Sequence, residues 1–176
     1  INPKIETVTI LFSDIRGFTD YCDNKSPDKV VSFLNQLLGI EIQAIENHQG
    51  DIDKIIGDAV LAFFQGENSE ASAFSAAQDI LLNLSKESYP RGVGIGIYTG
   101  EVIIGTIGAS NRKDFTVIGD TVNIASRLCS EAKQNEIIID IKTYAAISKE
   151  KIKMENLRLK GKSQPINVHR IKLNTV

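Results

Sequence analysis

Apolar positions along this chain change period several times, and each change marks a boundary between elements. Residues 7–12 form a β-branched, apolar run that reads as a buried strand ending at Ser13-Asp14, and a loop rich in Gly, Thr, Asp and Asn follows. Ser26-Pro27-Asp28 reads as a helix start, with serine as N-cap and proline in the first turn. Val30, Phe33, Leu34, Leu37, Leu38 and Ile45 then recur at helical spacing to about residue 48. Residues 51–56 and 59–64 flank Gly57-Asp58 as the strands of a hairpin. Ser69 opens a second amphipathic helix whose inner face carries Ala73, Ala76, Ala77, Ile80, Leu81 and Leu84. Residues 92–98 and 101–107 read as a second hairpin around Thr99-Gly100. A helix over 120–132, a strand over 136–140 and a short helix over 142–147 come next. The tail pairs 151–160 with 165–173 around Gly161-Lys162-Ser163.

This order predicts an α+β fold, an α/β sandwich with a ferredoxin-like βαββαβ core on an antiparallel sheet and an additional αβ/ββ C-terminal extension. There is no linker, repeat or low-complexity stretch. A length of 176 residues at 42% hydrophobic suits one domain over residues 1–176. The first residue is Ile1 rather than Met, so the chain reads as a fragment of a longer protein, with any sensor, coupling or membrane-anchoring segment outside it.

Charge narrows the partners. Twenty basic and 22 acidic residues leave a net charge of −2, so no global field favours nucleic acid or a membrane surface, and an anionic ligand must be held locally. No apolar run approaches the ~18 residues of a membrane span. Cys22 and Cys129 lack paired-motif spacing and read as buried thiols in a reducing, cytoplasmic compartment. His48 and His169 read as a helix-end and a strand-surface position.

Candidate chemistry gathers in four places. Asp14 and Asp58 each end an apolar run beside glycine; a lone aspartate there is an ordinary turn former, but two from adjacent strand ends could hold a pair of hard cations. Gly17 permits a sharp turn whose N–H groups can face phosphate oxygens. Asn123 and Arg127 stand four apart on one helix face, either as a solvated face or as donors to a phosphoryl group. Lys160 and Lys162 flank Gly161, either as a charged hairpin rim or as a clamp on a polyphosphate.

Together the motifs Phe12-x-Asp14-Ile15-Arg16-Gly17-Phe18-Thr19, Lys54-x-x-Gly57-Asp58, Thr116-Val117-Ile118-Gly119-Asp120-x-Val122-Asn123-x-Ala125-x-Arg127 and Lys160-Gly161-Lys162 resemble the class III nucleotidyl cyclase catalytic domain, in order and over nearly the whole chain. The resemblance implies that Asp14, Asp58 and the Ile15 carbonyl hold two Mg²⁺ or Mn²⁺ ions. It also implies that Gly17, Phe18 and Thr19 cradle phosphates. Lys54 and Thr116, with Val117 beside it, would read the purine. Asn123 would orient the ribose, Arg127 would stabilise the α-phosphorus and Lys160 would bind the triphosphate.

Family domains work as head-to-tail dimers in which one protomer supplies the metal aspartates and the other supplies the remaining residues, so a homodimer is implied. The implied reaction turns ATP into 3′,5′-cyclic AMP and pyrophosphate. Lysine and a hydroxyl complement adenine, whereas guanylyl cyclases of the family typically carry Glu and Cys at the positions of Lys54 and Thr116. Thr116 further resembles the threonine-containing (class IIIb) adenylyl cyclases, many of them responsive to bicarbonate or carbon dioxide. A guanylyl cyclase, or a nucleotide-binding regulatory dimerisation module without catalysis, stays open as an alternative.

Overall fold

Strand β1 (Lys4–Ile15) is apolar toward both of its faces, Leu11 and Ile15 toward one and Val8 and Ile10 toward the other, and it therefore runs inside the sheet. The computed structural model describes residues 2–173. After β1 come α1 (Phe18–Cys22), α2 (Pro27–Asn47), β2 (Asp51–Ile56), β3 (Ala59–Phe64), α3 (Ser69–Leu84) and β4 (Val93–Ala109). They are followed by β5 (Arg112–Ile118), α4 (Asp120–Glu131), β6 (Glu136–Asp140), α5 (Ile141–Ala145), β7 (Glu155–Leu157) and β8 (Ile166–Lys172). Strand order is β2-β3-β1-β4-β6-β8-β7, with β5 pairing to β4 off that path. The antiparallel part β2-β3-β1-β4, bridged by α2 and α3, is the ferredoxin-like core, and α4 through β8 form the expected extension, which joins through the parallel pair β4–β6.

Two layers cover the sheet. Phe33, Leu37 and Ile45 of α2 and Ala77, Ile80 and Leu81 of α3 bury one face against Leu11, Phe64, Ile95 and Ile139. On the other face, Ala125 of α4 and Val102, Ile104 and Val117 of the β4–β5 arm close over Val8, Ile10, Leu61 and Phe63. The arm folds back across the sheet far enough to bring Phe115 to 6.4 Å from Phe63, ring centre to ring centre.

The expected hairpin around Thr99-Gly100 is corrected. Residues 93–109 form one 17-residue strand, Gly100 pairs with Val8 of β1, and the turn falls at Ser110-Asn111. Gly100 serves close packing instead of a turn, since a Cβ there would lie 2.5 Å from Thr121 Oγ1 at the start of α4.

Smaller departures have local causes. β1 continues through Asp14 to Ile15, and the loop expected after it contains α1, one short turn of helix held by Tyr21 packed on Phe33. Only Glu155–Leu157 of the expected strand over 151–160 pairs, because the Lys153 carbonyl is taken by the His169 ring at 2.9 Å rather than by a strand. That contact and the Tyr144 ring leave His169 buried, and Cys22 is half-buried; of the two cysteines Cys129 alone is fully inside. No helix among the described residues is long and apolar enough to cross a membrane.

Candidate active site

The period of two along β1 decides which residues can meet. Odd positions face α2 and α3, where Ser13 donates a hydrogen bond to the wholly buried Glu41, and even positions face α4, so Asp14 stands on the α4 side. Asp14 pairs in register with Gly94 of β4, while the neighbouring Ser13 pairs with Val60 of β3. That register brings the Gly57-Asp58 turn to the end of β1, where Asp58 Oδ2 accepts the Ile15 N–H at 3.1 Å. Asp14, Ile15 and Asp58 are thus adjacent although 43 residues separate the last two.

Arg16 forms an ion pair with Asp14 and also donates to the Ser130 and Ala132 carbonyls at 3.1 Å each, tying the carboxylate to the C-terminal end of α4. Burial pushes the Asp14 carboxyl above its ordinary value, the Arg16 guanidinium opposes that shift, and the charge of Asp58 adds to it. Gly17 is the N-cap of α1, and Arg91 holds this turn by donating to the Gly17 carbonyl at 3.3 Å and to Asp20 at 2.7 Å. Phe18 and Thr19 begin α1.

Among the described residues no three His, Cys, Asp or Glu side chains form a metal-binding group. The donor set here is two carboxylates and a main-chain carbonyl. That set fits Mg²⁺ or Mn²⁺, which take oxygen ligands and complete their shells with water and substrate phosphate. The half-buried carboxylates Asp14 and Asp58 repel one another, and a cation between them relieves that repulsion.

A second group forms where the β4–β5 arm meets β2. Thr116 of β5 donates its hydroxyl to Asp53 Oδ2 at 2.9 Å, and the Lys54 ammonium lies 3.3 Å from the same oxygen. Asp53 is the extra residue of a bulge in β2, since Ile52 pairs with Ala62 and Lys54 with the adjacent Leu61. Its side chain is fully enclosed, whereas the Lys54 side chain is about half exposed. Val117 is buried in the arm's core. Asp53 was not among the residues expected at the site; its one signal in the sequence is its place beside Lys54, and Asp51 two positions earlier in the same strand blurs it.

Helix α4 supplies the third group. Gly96 and Gly100 of β4 let it approach closely, and Thr121 fixes its start by donating to the Glu101 carbonyl at 2.7 Å. Asn123 is exposed and Arg127 half-exposed, one turn apart, and no side-chain hydrogen bond among the described residues holds either. Gly161 lies beside Arg127, so the Lys160-Gly161-Lys162 loop borders this helix; Lys162 is ion-paired with Asp120, and Lys160 is exposed. An open depression of about 380 Å³ lined by Val117, Gly119, Asp120 and Asn123 adjoins it. A cavity of about 350 Å³ between α3 and β8, lined by Phe74, Leu81, Tyr144 and Ile171, contains none of the expected residues.

Comparison with known proteins converges on one family. The model described as "Adenylate and Guanylate cyclase catalytic domain" matches residues 2–172. An adenylate cyclase of Anabaena cylindrica is 35% identical over 183 aligned positions, covering 94% of this chain and 36% of the relative, so the chain spans about a third of that protein's length. The adenylyl cyclase CyaB from P. aeruginosa superimposes with a TM-score of 0.89 at 30% identity, covering 99% of this chain and 98% of that one. A guanylyl cyclase crystal structure does so with a TM-score of 0.89 at 29% identity, covering 96% and 92%. A match over nearly every described residue, on a sheet whose register assembles the motif residues at strand ends and helix faces, establishes that the chain belongs to the family of adenylate and guanylate cyclase catalytic domains.

Proposed function

We propose that this domain is an adenylyl cyclase of the threonine-containing subgroup, converting ATP into 3′,5′-cyclic AMP and pyrophosphate at sites formed between two copies of the chain. The observation that carries the adenine reading is the meeting of Lys54 and Thr116, 62 residues apart, on one oxygen of Asp53. Adenine presents an acceptor at N1 and a donor at N6, which a lysine and a hydroxyl complement. Guanine presents a donor at N1 and an acceptor at O6, and it favours a carboxylate at the place of Lys54. The second reading, a guanylyl cyclase, is supported by the equal structural likeness to one member of each kind.

Asp14, Asp58 and the Ile15 carbonyl would hold two divalent cations, which when bound acidify the ribose 3′-hydroxyl and neutralise the triphosphate. The chain's own groups do the rest. Main-chain N–H groups of Gly17, Phe18 and Thr19 receive the terminal phosphates, and Lys160 steadies the leaving pyrophosphate. Asn123 orients the ribose so that its 3′-oxygen lies in line with the α-phosphorus. Arg127 donates to the α-phosphoryl oxygens as their charge rises in the transition state. No side chain serves as a covalent nucleophile.

Support for a dimer comes from the surface. Ile55 and Ile56 of β2, Ile103 of β4 and Phe115 and Ile118 of β5 are each 45–52% exposed, beside Lys54 and Thr116. An apolar group of this kind on a folded domain is characteristic of an interface. A head-to-tail pairing would give two equivalent sites, each drawing Asp14 and Asp58 from one copy and Lys54, Thr116, Asn123, Arg127 and Lys160 from the other.

The test is product formation from ATP and from GTP with Mg²⁺ or Mn²⁺, with Asp14→Ala as control. Cyclic AMP in excess over cyclic GMP, abolished in the control, is the expected result; full activity in Asp14→Ala overturns the cation assignment. Bicarbonate activation belongs to the same proposal, and equal rates with bicarbonate and chloride at fixed pH would remove it.

A further inference from the structure

Asp53 has features that a merely structural aspartate does not need. Its side chain is fully enclosed, its Oδ2 takes both the Thr116 hydroxyl and the Lys54 ammonium, and its Oδ1 is buried without a hydrogen-bond partner. Buried polar atoms are normally satisfied, so an aspartate kept for packing alone would have both oxygens occupied or be replaced by an apolar residue. It also occupies the bulge of β2, the position that lets two consecutive residues, Asp53 and Lys54, address the same neighbour.

We infer that Asp53 is a specificity-determining positioning residue, which accepts the hydrogen bond of the Thr116 hydroxyl and so presents that hydroxyl to the purine only as an acceptor. This inference rests on the adenylyl cyclase reading and deepens it. A free threonine hydroxyl is an ambiguous filter, because it carries one hydrogen and two lone pairs and can turn either toward a base. A carboxylate is acceptor-only, so the 2.9 Å contact commits the hydrogen to Asp53 Oδ2 and leaves the lone pairs for the site. Lys54, held by the same oxygen, is a donor only. The pair then reads acceptor beside donor, the complement of the adenine N6 amino group and N1. Guanine meets the reverse at both atoms, its O6 facing lone pairs and its N1–H facing an ammonium. The selectivity that a family aspartate would supply directly is supplied here by threonine and a buried carboxylate behind it.

The experiment measures kcat/KM for ATP and for GTP in the native chain, Asp53→Asn, Thr116→Val, Thr116→Ser and the Asp53→Asn/Thr116→Val pair. The asparagine amide can donate to Thr116 and turn its hydrogen toward the base. The ATP/GTP ratio is therefore expected to fall about tenfold in Asp53→Asn, the scale of one exchanged hydrogen bond. Thr116→Ser should keep the native ratio, and adding Asp53→Asn to Thr116→Val should change the ratio no further. A ratio unmoved by Asp53→Asn overturns the inference. So does a fall equally large in the Thr116→Val background, because the carboxylate would then act through Lys54 alone. A second measurement needs no variant: purine riboside triphosphate, which lacks the N6 amino group, should be a poorer substrate than ATP for the native chain, and equal use overturns the inference. A native chain that prefers GTP overturns the adenylyl reading and this inference with it. ATP preference indifferent to Asp53 leaves the adenylyl reading standing and removes only the inference.

Discussion

The Ile15 main-chain N–H donates to Asp58 Oδ2 at 3.1 Å, so the tip of the β2–β3 hairpin is fastened to the end of the central strand. One oxygen of Asp58 is spent on position, and the carboxylate charge remains for a cation. Asp58→Asn keeps an acceptor for Ile15 but loses the charge. It should lower cyclic AMP formation by more than about 100-fold, since even outer partners of metal ligands cost roughly 10–100-fold, while the thermal midpoint changes little. Activity within a few-fold of native in a steady-state assay would contradict the role given to Asp58.

Arg127 sits half-exposed on α4 beside Gly161, without a structural ion pair among the described residues. Arg127→Ala should lower kcat by about 10²–10³-fold, the cost of one transition-state donor, with KM for ATP moving much less. Mixing Asp58→Ala with Arg127→Ala should then recover activity. Random pairing makes about half the dimers mixed, each with one of two sites intact, so about a quarter of native activity is expected. Re-associated mixtures as inactive as the separate variants would contradict shared sites.

Glu41 gives a pH dependence. Burial pushes its carboxyl up from 4.5 to about 8, partly offset by the Ser13 hydrogen bond, and its Oε2 has no partner. Between those values the folded chain keeps a proton that the unfolded chain has released. The Glu41 contribution to stability is therefore full below pH 4.5 and declines as pH rises through about 8. Glu41→Gln should flatten that decline, raising the thermal midpoint at pH 8 and altering it little at pH 5. Parallel curves for the two proteins in calorimetry would refute the assignment.

Gly100 is tested by stability. A methyl group there meets Thr121 Oγ1 at 2.5 Å and disturbs the bond that Oγ1 makes to the Glu101 carbonyl. Gly100→Ala should cost about 1–3 kcal/mol, read as a lower urea midpoint at unchanged slope. Adding Thr121→Ala should return part of the loss, and an unchanged midpoint in Gly100→Ala would count against the packing account.

Much of this was legible in the chain. The Gly57-Asp58 hairpin, the α3 stripe of alanines and leucines and the start of α4 at Asp120 follow from local periodicity and turn chemistry, and the structure has them at the expected positions. Thr99-Gly100 misled because a glycine needed for close approach of a helix has the same local signature as one needed for a turn. What distinguishes them is Thr121, a neighbour that only the tertiary fold supplies. Asp53 was invisible for a related reason. Strand alternation assigns Asp53 and Lys54 to opposite faces, and the bulge that cancels the alternation is a property of pairing with β3, not of β2 alone. The contact with Thr116 depends in turn on the arm folding back across the sheet, which no short window of sequence encodes.

β1 lies inside the sheet and β2 along its edge, and that difference sets the order in which the machinery comes apart. Edge strands open at lower free-energy cost than enclosed ones, so on warming the Asp53–Thr116 clasp should yield before the Asp14 carboxylate, on the central strand, loses its place. A molecule in that half-opened state would still grip a nucleotide by its phosphates yet no longer tell one purine from another. On the proposed adenylyl cyclase reading, fidelity rather than turnover is then the first property that heat or mild denaturant erodes.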